Sequence, residues 1–264
     1  MRIALGIEYD GSAFAGWQSQ PHRRTVQDVL EAALAEVAAA PVRTICAGRT
    51  DAGVHAVGQV VHFDTDVQRP ETAWVRGVNA NLPAAVAVRW AMPVEADFHA
   101  RFCAQSRTYC YLLLNRPVRA ALLHGRVGWF HLPLDLEAMV AASNCLVGEN
   151  DFSAFRAAEC QAKSPIKIVQ HVSIKRENDI ICFEITANAF LHHMVRNVVG
   201  SLVYVGKRRH PPEWMAEILA GRDRSRAAPT FDAAGLYFVS AEYDERWRLP
   251  RQDRIMATSL LPAV

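Results

Sequence analysis

The sequence predicts an α+β protein made of two related subdomains, each an antiparallel-rich sheet with helices on one face. Three observations carry this expectation. Short apolar runs of period two, bounded by turn residues, alternate along the chain with stretches of helical period. The strand–helix–strand rhythm of the first part of the chain returns in the second. The segment Asp97-Phe98-His99-Ala100-Arg101-Phe102 is echoed by Asp151-Phe152-Ser153-Ala154-Phe155-Arg156. The expected divisions are residues 1–104, 105–245 and a tail, 246–264. With 264 residues, 51% of them hydrophobic, the chain has ample apolar material for packed cores.

Each element follows from local chemistry. Arg2–Tyr9 alternates as a strand with Ile3, Leu5 and Ile7 on one face, and Asp10-Gly11-Ser12 breaks it. Thr25 is the expected N-cap of a helix whose apolar positions are Val26, Val29, Leu30, Ala33, Leu34 and Val37. Pro41 is expected to end it. Thr44–Ala47 and Val57–Phe63 read as strands around a polar turn. A second helix is expected over Arg69–Asn79 with Trp74 and Val78 inward, followed by strands over Ala84–Trp90 and Arg107–Leu114. Leu134–Leu146 reads as a helix started at Asp135 and closed by Gly148. Val169–Lys175 and Ile180–Thr186 form a hairpin about Arg176-Glu177-Asn178-Asp179.

The last strong helix is expected over Phe190–Val205. Leu191, Met194, Val195, Val198, Val199, Leu202 and Val203 form its apolar stripe. His193, Arg196, Asn197, Gly200, Ser201 and Tyr204 share the other face, where a Gly and a Ser imply close approach by something else. A helical setting would point the adjacent His192 and His193 about 100° apart, which argues against a metal pair. Gly200–Lys207 is no P-loop, since no Ser or Thr follows Lys207. Pro211–Leu219 is a short helix, Arg222, Arg224 and Arg226 a basic loop, and Gly235–Val239 a final strand. Beyond Asp244 the chain reads as irregular.

The net charge of +2 says little about partners, but its distribution says more. No acid occurs from Phe98 to Leu134, while Arg101, Arg107, Arg116, Arg119 and Arg126 all do. Gly11–Gln27 is likewise acid-free and carries His22, Arg23 and Arg24 beside Phe14 and Trp17. Such stretches suit a polyanion with exposed bases, or else are ordinary solvated surface. No apolar run approaches a membrane span, and the N-terminus enters a strand with no signal-peptide cleavage region. The six cysteines include no C-x-x-C pair and lie mostly in apolar segments, as expected of reduced, buried thiols in a cytoplasmic protein.

The chain is organised around Gly48-Arg49-Thr50-Asp51-Ala52-Gly53. Its two glycines permit φ > 0 or close approach, so the turn projects Arg49, Thr50 and Asp51 from a sheet edge. From the residues alone, Asp51 either caps the turn through its own backbone or serves as an ionised nucleophile or base.

Gly48-Arg49-Thr50-Asp51-Ala52-Gly53-Val54-His55-Ala56, followed by Gln59-Val60-Val61-His62-Phe63, resembles the active-site motif of the tRNA pseudouridine synthase A family. Glu8-Tyr9-Asp10-Gly11 with Gly16-Trp17-Gln18, Phe98–Phe102 with Arg107-x-Tyr109-x-Tyr111, and Asn188–Asn197 resemble its other motifs. Thr108 and Cys110 stand where the family often places basic or aliphatic residues. The resemblance runs from about Ile7 to Val239. It implies that Asp51 is the nucleophilic aspartate, that Arg49 helps hold the target nucleotide out of the stack, that Tyr109 stacks on the base and that Arg196 pairs with Asp51. It further implies two sheets joined edge to edge around a central active-site cleft.

The activity so implied is conversion of uridine to pseudouridine at tRNA positions 38, 39 and 40, with no cofactor and no metal, by a cytoplasmic homodimer. A non-catalytic RNA-binding protein is the alternative. A hydrolase with an Asp nucleophile lacks a second carboxylate or metal ligands in the sequence.

Overall fold

The computed structural model describes residues 1–21 and 24–250. The architecture is α+β, with sheets that are mostly antiparallel. Two compact units are distinguished: Met1–Arg107 with the described chain from Tyr237 onward, and Thr108–Leu236.

In the first unit, β1 (Arg2–Tyr9) lies between β3 (His55–Asp64) and β4 (Val86–Val94), antiparallel to both. The two-residue β2 (Ile45–Cys46) pairs with β3, placing Cys46 opposite Val61. The last strand, β10 (Leu236–Tyr243), pairs in parallel with β3 at Tyr237 and Phe238. That pairing groups it with the first unit, whereas the sequence division keeps it with residues 105–245.

The helix α1 (Val26–Ala38) starts as expected. Thr25 Oγ1 accepts the Asp28 N–H at 3.3 Å and donates to its carboxylate, a cap worth about 1 kcal/mol. It ends earlier than Pro41 requires, because Ala39 turns left-handed at φ 51°. Its Leu30 and Leu34 are fully buried, and it packs on the next helical segment. That segment is a π-helical turn, Ala73–Gly77, running into α2 (Val78–Asn81). Trp74 and Val78 point inward as predicted, the Trp74 ring lying edge-on to Phe63 at 5.2 Å.

The irregular tail expected after Asp244 is corrected at its start. Glu245–Trp247 forms a 3-10 turn capped by Asp244, and the buried Trp247 ring packs on Phe98 at 5.2 Å. An aromatic at the end of a polar stretch thus closes the core. Residues 251–264 of the tail, and His22 and Arg23 of the acid-free segment, lie outside the described residues.

The strand β5 (Ala104–Asn115) carries the chain into the second unit. There β5, β9 (Ile180–Ala187), β8 (Ile166–Glu177) and β7 (Gly148–Asp151) lie in that order, with β6 (Gly128–Phe130) parallel to β5. The β8–β9 hairpin closes through Asn178 at φ 51°, a conformation Asn tolerates. The helices α3 (Leu136–Ser143), α4 (Met194–Gly206) and α5 (Trp214–Gly221) pack on one another. Asp135 caps α3 by accepting the Ala138 N–H at 3.1 Å. α4 begins four residues later than its apolar stripe suggests, because His193 adopts φ 62° and stops the helix from reaching Phe190. Among the described residues no helix is long and apolar enough to cross a membrane.

Candidate active site

The loop between β2 and β3 is held from inside by its central residue. Thr50 is buried; its hydroxyl lies 2.8 Å from that of Tyr9, and its carbonyl accepts the Trp17 N–H at 3.0 Å. With Thr50 turned inward, its neighbours face out: Arg49 is exposed and Asp51 half-buried. Gln59, fully buried on β3, clasps the start of the loop by donating to the Gly48 carbonyl at 2.6 Å. Gly53, at φ 78°, closes the turn, its N–H donating to the Phe14 carbonyl, while Gly48 keeps ordinary backbone angles. Gly16 is required by contact. It sits at φ 95°, and a Cβ there would lie 2.8 Å from the Thr50 carbonyl oxygen. Trp17 is core and presents no stacking face.

Two further residues set this loop, and sequence reading missed both roles. His55 is buried at the head of β3, stacked on Tyr237 at 4.7 Å, with Nδ1 accepting the Gly11 N–H at 3.0 Å. The Asp10 carboxylate lies 3.3 Å from that same nitrogen. Arg107, expected among the cations facing a polyanion, instead donates to the carbonyls of Ala47, Ala104 and Arg101. Ala47 directly precedes Gly48, so Arg107 anchors the loop. A basic residue opening a strand gives no hint of this in sequence.

In the second unit, Tyr109 is buried on β5, edge-on to Phe190 at 4.9 Å. Two residues on, Tyr111 is pure core; burial pushes its phenol well above the ordinary range, and its hydroxyl donates to the Asp232 carbonyl at 2.8 Å. Arg196 is half-buried in the first turn of α4. Its Nε donates to the Phe231 carbonyl at 2.8 Å, and its own carbonyl accepts the Phe231 N–H at 3.3 Å.

The close approach implied by Gly200 and Ser201 is real, and its partner is the chain itself. A Cβ on Gly200 would lie 2.4 Å from the Pro229 carbonyl oxygen, and Ser201 Oγ accepts the Ala228 N–H at 3.3 Å. Residues 227–231 therefore form a strap over this face of α4. The expected polar face is largely a second buried face, with Asn197 and Ser201 fully covered. Asn197 donates to the Phe155 carbonyl at 2.8 Å and accepts from Thr230 at 2.7 Å and from Arg224 at 3.1 Å. Arg224, read as part of a basic loop, is the strap's main tie.

The two histidines before α4 lie outside the helix, so helical spacing does not separate them. Their ring centroids are 4.0 Å apart. The His192 N–H donates to Cys160 Sγ at 3.4 Å. Burial alone would raise the Cys160 thiol, but backbone N–H groups of Ala162 and His192 outweigh it, with help from Arg156, and draw it below its usual value. Burial pushes Cys46 up to about 12. All six cysteines are free thiols.

Of the predicted site residues, Arg49 and Asp51 share one loop of the first unit, while Tyr109 and Arg196 belong to the second. Residues 6–103 and 142–244 match a family described as tRNA pseudouridine synthase. Arg49, Asp51 and Arg196 fall inside those spans, and Tyr109 falls between them. The chain is 62% identical over 264 residues to tRNA pseudouridine synthase A of Aromatoleum aromaticum, covering all of both. It is 61% identical over 250 residues to the protein of that name from Dechloromonas aromatica, covering 95% of each. For Paraburkholderia phymatum the identity is 58% over 249 residues, 94% of this chain and 93% of the relative. Among solved structures, a chain of a Cbf5-Nop10-Gar1 complex gives a TM-score of 0.40 at 12% identity, covering 89% of this chain and 48% of that one. On the strength of the family match and the full-length relatives, the chain belongs to the tRNA pseudouridine synthase family.

Proposed function

We propose that this chain isomerises uridine to pseudouridine at positions 38, 39 and 40 in the anticodon stem-loop of tRNA. The family match across the Asp51 loop carries the proposal. The loop's construction supports it: Thr50 is clamped inward, so the residues on either side are held outward on a rigid base.

The chemistry is a balanced rearrangement. The N1–C1′ bond breaks, the uracil turns, a C5–C1′ bond forms, and the C5 proton leaves as N1 gains one. Asp51 supplies the nucleophile or base. Tyr109 stacks on the flipped base, Arg49 holds the nucleotide out of the helix, and Arg196 helps bind the substrate. Flipping costs a few kcal/mol, recovered through stacking and phosphate contacts. No redox carrier, nucleotide or metal enters this scheme. The enzyme acts as a homodimer in the cytoplasm, where sedimentation of the purified chain tests the dimer.

Tritium release from C5-labelled uridine in tRNA, with no added cofactor, tests the activity. Asp51→Asn, nearly isosteric, is expected to keep tRNA binding and lose release at least a thousandfold. Binding by the wild-type chain without release would make it a reader of RNA instead.

A further inference from the structure

Tyr109 sits midway along β5, and Arg196 in the first turn of α4. The far ends of the same two elements carry a second set of cations, roughly 20 Å along the strand and roughly 16 Å along the helix. At the end of β5, Arg116, His131 and Arg176 line a cavity of about 300 Å³, walled by Pro117, Pro133 and Leu134. Among the described residues no carboxylate lines it. Arg176 donates to Asn115 Oδ1 at 2.9 Å and to the Leu134 carbonyl at 3.3 Å, so its guanidinium is built into the wall.

The end of α4 packs against Leu134 in the cavity wall. The Asp135 N–H donates to the Gly206 carbonyl at 2.8 Å, and a Cβ on Gly206 would touch the Leu134 side chain. Lys207, Arg208 and Arg209 follow. Lys207 Nζ lies 3.8 Å from the Tyr204 ring centroid and 5.9 Å from that of Phe130, the neighbour of His131. The Arg209 guanidinium lies 4.9 Å from the same Tyr204 ring. Two cations share one ring, and burial together with Arg209 draws Lys207 below its usual pKa. Two of the cations here have carboxylate partners: Arg116, 3.7 Å from Asp179, and Arg208, 3.2 Å from Asp135. Among the described ion pairs none involves Lys207 or Arg209, so the repulsion between these two cations favours an anion beside them.

We propose that this face is a second RNA contact, which takes backbone phosphates of the tRNA beyond the target stem-loop. It rests on the proposed function only in taking tRNA as the polyanion. Arginine forks and lysine point charges suit phosphate oxygens, and contacts to phosphates position the RNA without reading its sequence.

The test uses the full chain with Lys207→Glu/Arg209→Glu, and Lys207→Gln/Arg209→Gln as the milder pair, both checked for unchanged melting. For full-length tRNA, Kd is expected to rise about tenfold in the Glu pair, and the slope of log Kd against log salt to fall by about two. Kd and tritium release for a hairpin holding only the anticodon loop and its closing pairs should stay within twofold. Equal losses on both RNAs, or none on either, would overturn the proposal. So would saturation of the face by millimolar inorganic phosphate with tRNA binding unchanged. Wild-type tRNA binding without tritium release would sink the proposed activity and leave this comparison of Kd values intact.

Discussion

Arg224→Met removes the guanidinium that ties residues 227–230 to α4. One terminal nitrogen of Arg224 donates to the Ala228 carbonyl at 2.9 Å; the other donates to Asn197 Oδ1 at 3.1 Å and Thr230 Oγ1 at 3.2 Å. Hydrogen bonds from a charged donor contribute about 1.5–3 kcal/mol each when buried. Arg224 is only half-buried, so water replaces part of that, and Asn197 Oδ1 keeps Thr230 as a donor. Methionine also restores most of the apolar stem. The net loss is therefore about 2–3 kcal/mol in total, well below the sum of three separate bonds. The strap carries Phe231, whose carbonyl sets the plane of the Arg196 guanidinium through Nε. A loosened strap is expected to lower turnover about tenfold, which corresponds to roughly 1.4 kcal/mol of transition-state stabilisation. Arg224→Lys keeps the charge but loses the fork, and should recover less than half of each effect. Urea midpoints measure the first quantity and tritium release the second. A stability change below about 0.5 kcal/mol with normal turnover would show that Arg224 is an ordinary surface cation.

Gly200→Ala drives a methyl against the Pro229 carbonyl and is expected to cost about 1–3 kcal/mol of stability; a neutral or stabilising result would contradict the close approach. Tyr109→Phe should keep target binding, whereas Tyr109→Ala should lose roughly 1–3 kcal/mol; equal behaviour of the two would assign the role to the hydroxyl. His62 is buried, accepts the Ala100 N–H at Nδ1, and is lowered by burial from 6.5 to about 4. The unfolded chain therefore binds its proton first, and stability falls as pH drops from about 6.5 to about 4, by roughly 3 kcal/mol from this group. Urea titrations across that window should show a shallower fall for His62→Gln, and an unchanged slope would refute the assignment.

What was legible in the sequence was local. Thr25 and Asp135 reveal their helix starts because a cap bonds within three residues of itself. Asn178 marks its hairpin for the same reason. Gly200 and Ser201 showed that something presses on α4, but its identity depended on residues nearly thirty positions away, which no periodicity encodes. The start of α4 was misplaced because the apolar stripe runs on through Leu191, while a single left-handed residue, His193, ends the helix at its back. Long-range bonds likewise hid the roles of the arginines. In sequence, Arg107 and Arg224 are indistinguishable from Arg119 and Arg126, which are exposed. In the fold each of the first two supplies its fork to several backbone carbonyls or buried oxygens.

The Asp51 loop shows the same division at the scale of three residues. Its motif identified Arg49, Thr50 and Asp51 together, yet the middle residue does a different job from its neighbours. Thr50 faces the core because Tyr9 and Trp17, some thirty to forty positions upstream, provide its hydroxyl and carbonyl with partners. Alternation along an extended loop then forces the residues on both sides outward. On this argument Thr50→Val, which keeps shape and removes only the hydroxyl, should leave the fold intact and lower turnover by loosening where Asp51 sits. Thr50→Ser should retain most of it. Melting temperature and tritium release, measured on the same preparations, separate the two effects, and a Thr50→Val enzyme with wild-type turnover would show that the backbone clamp from Trp17 suffices alone.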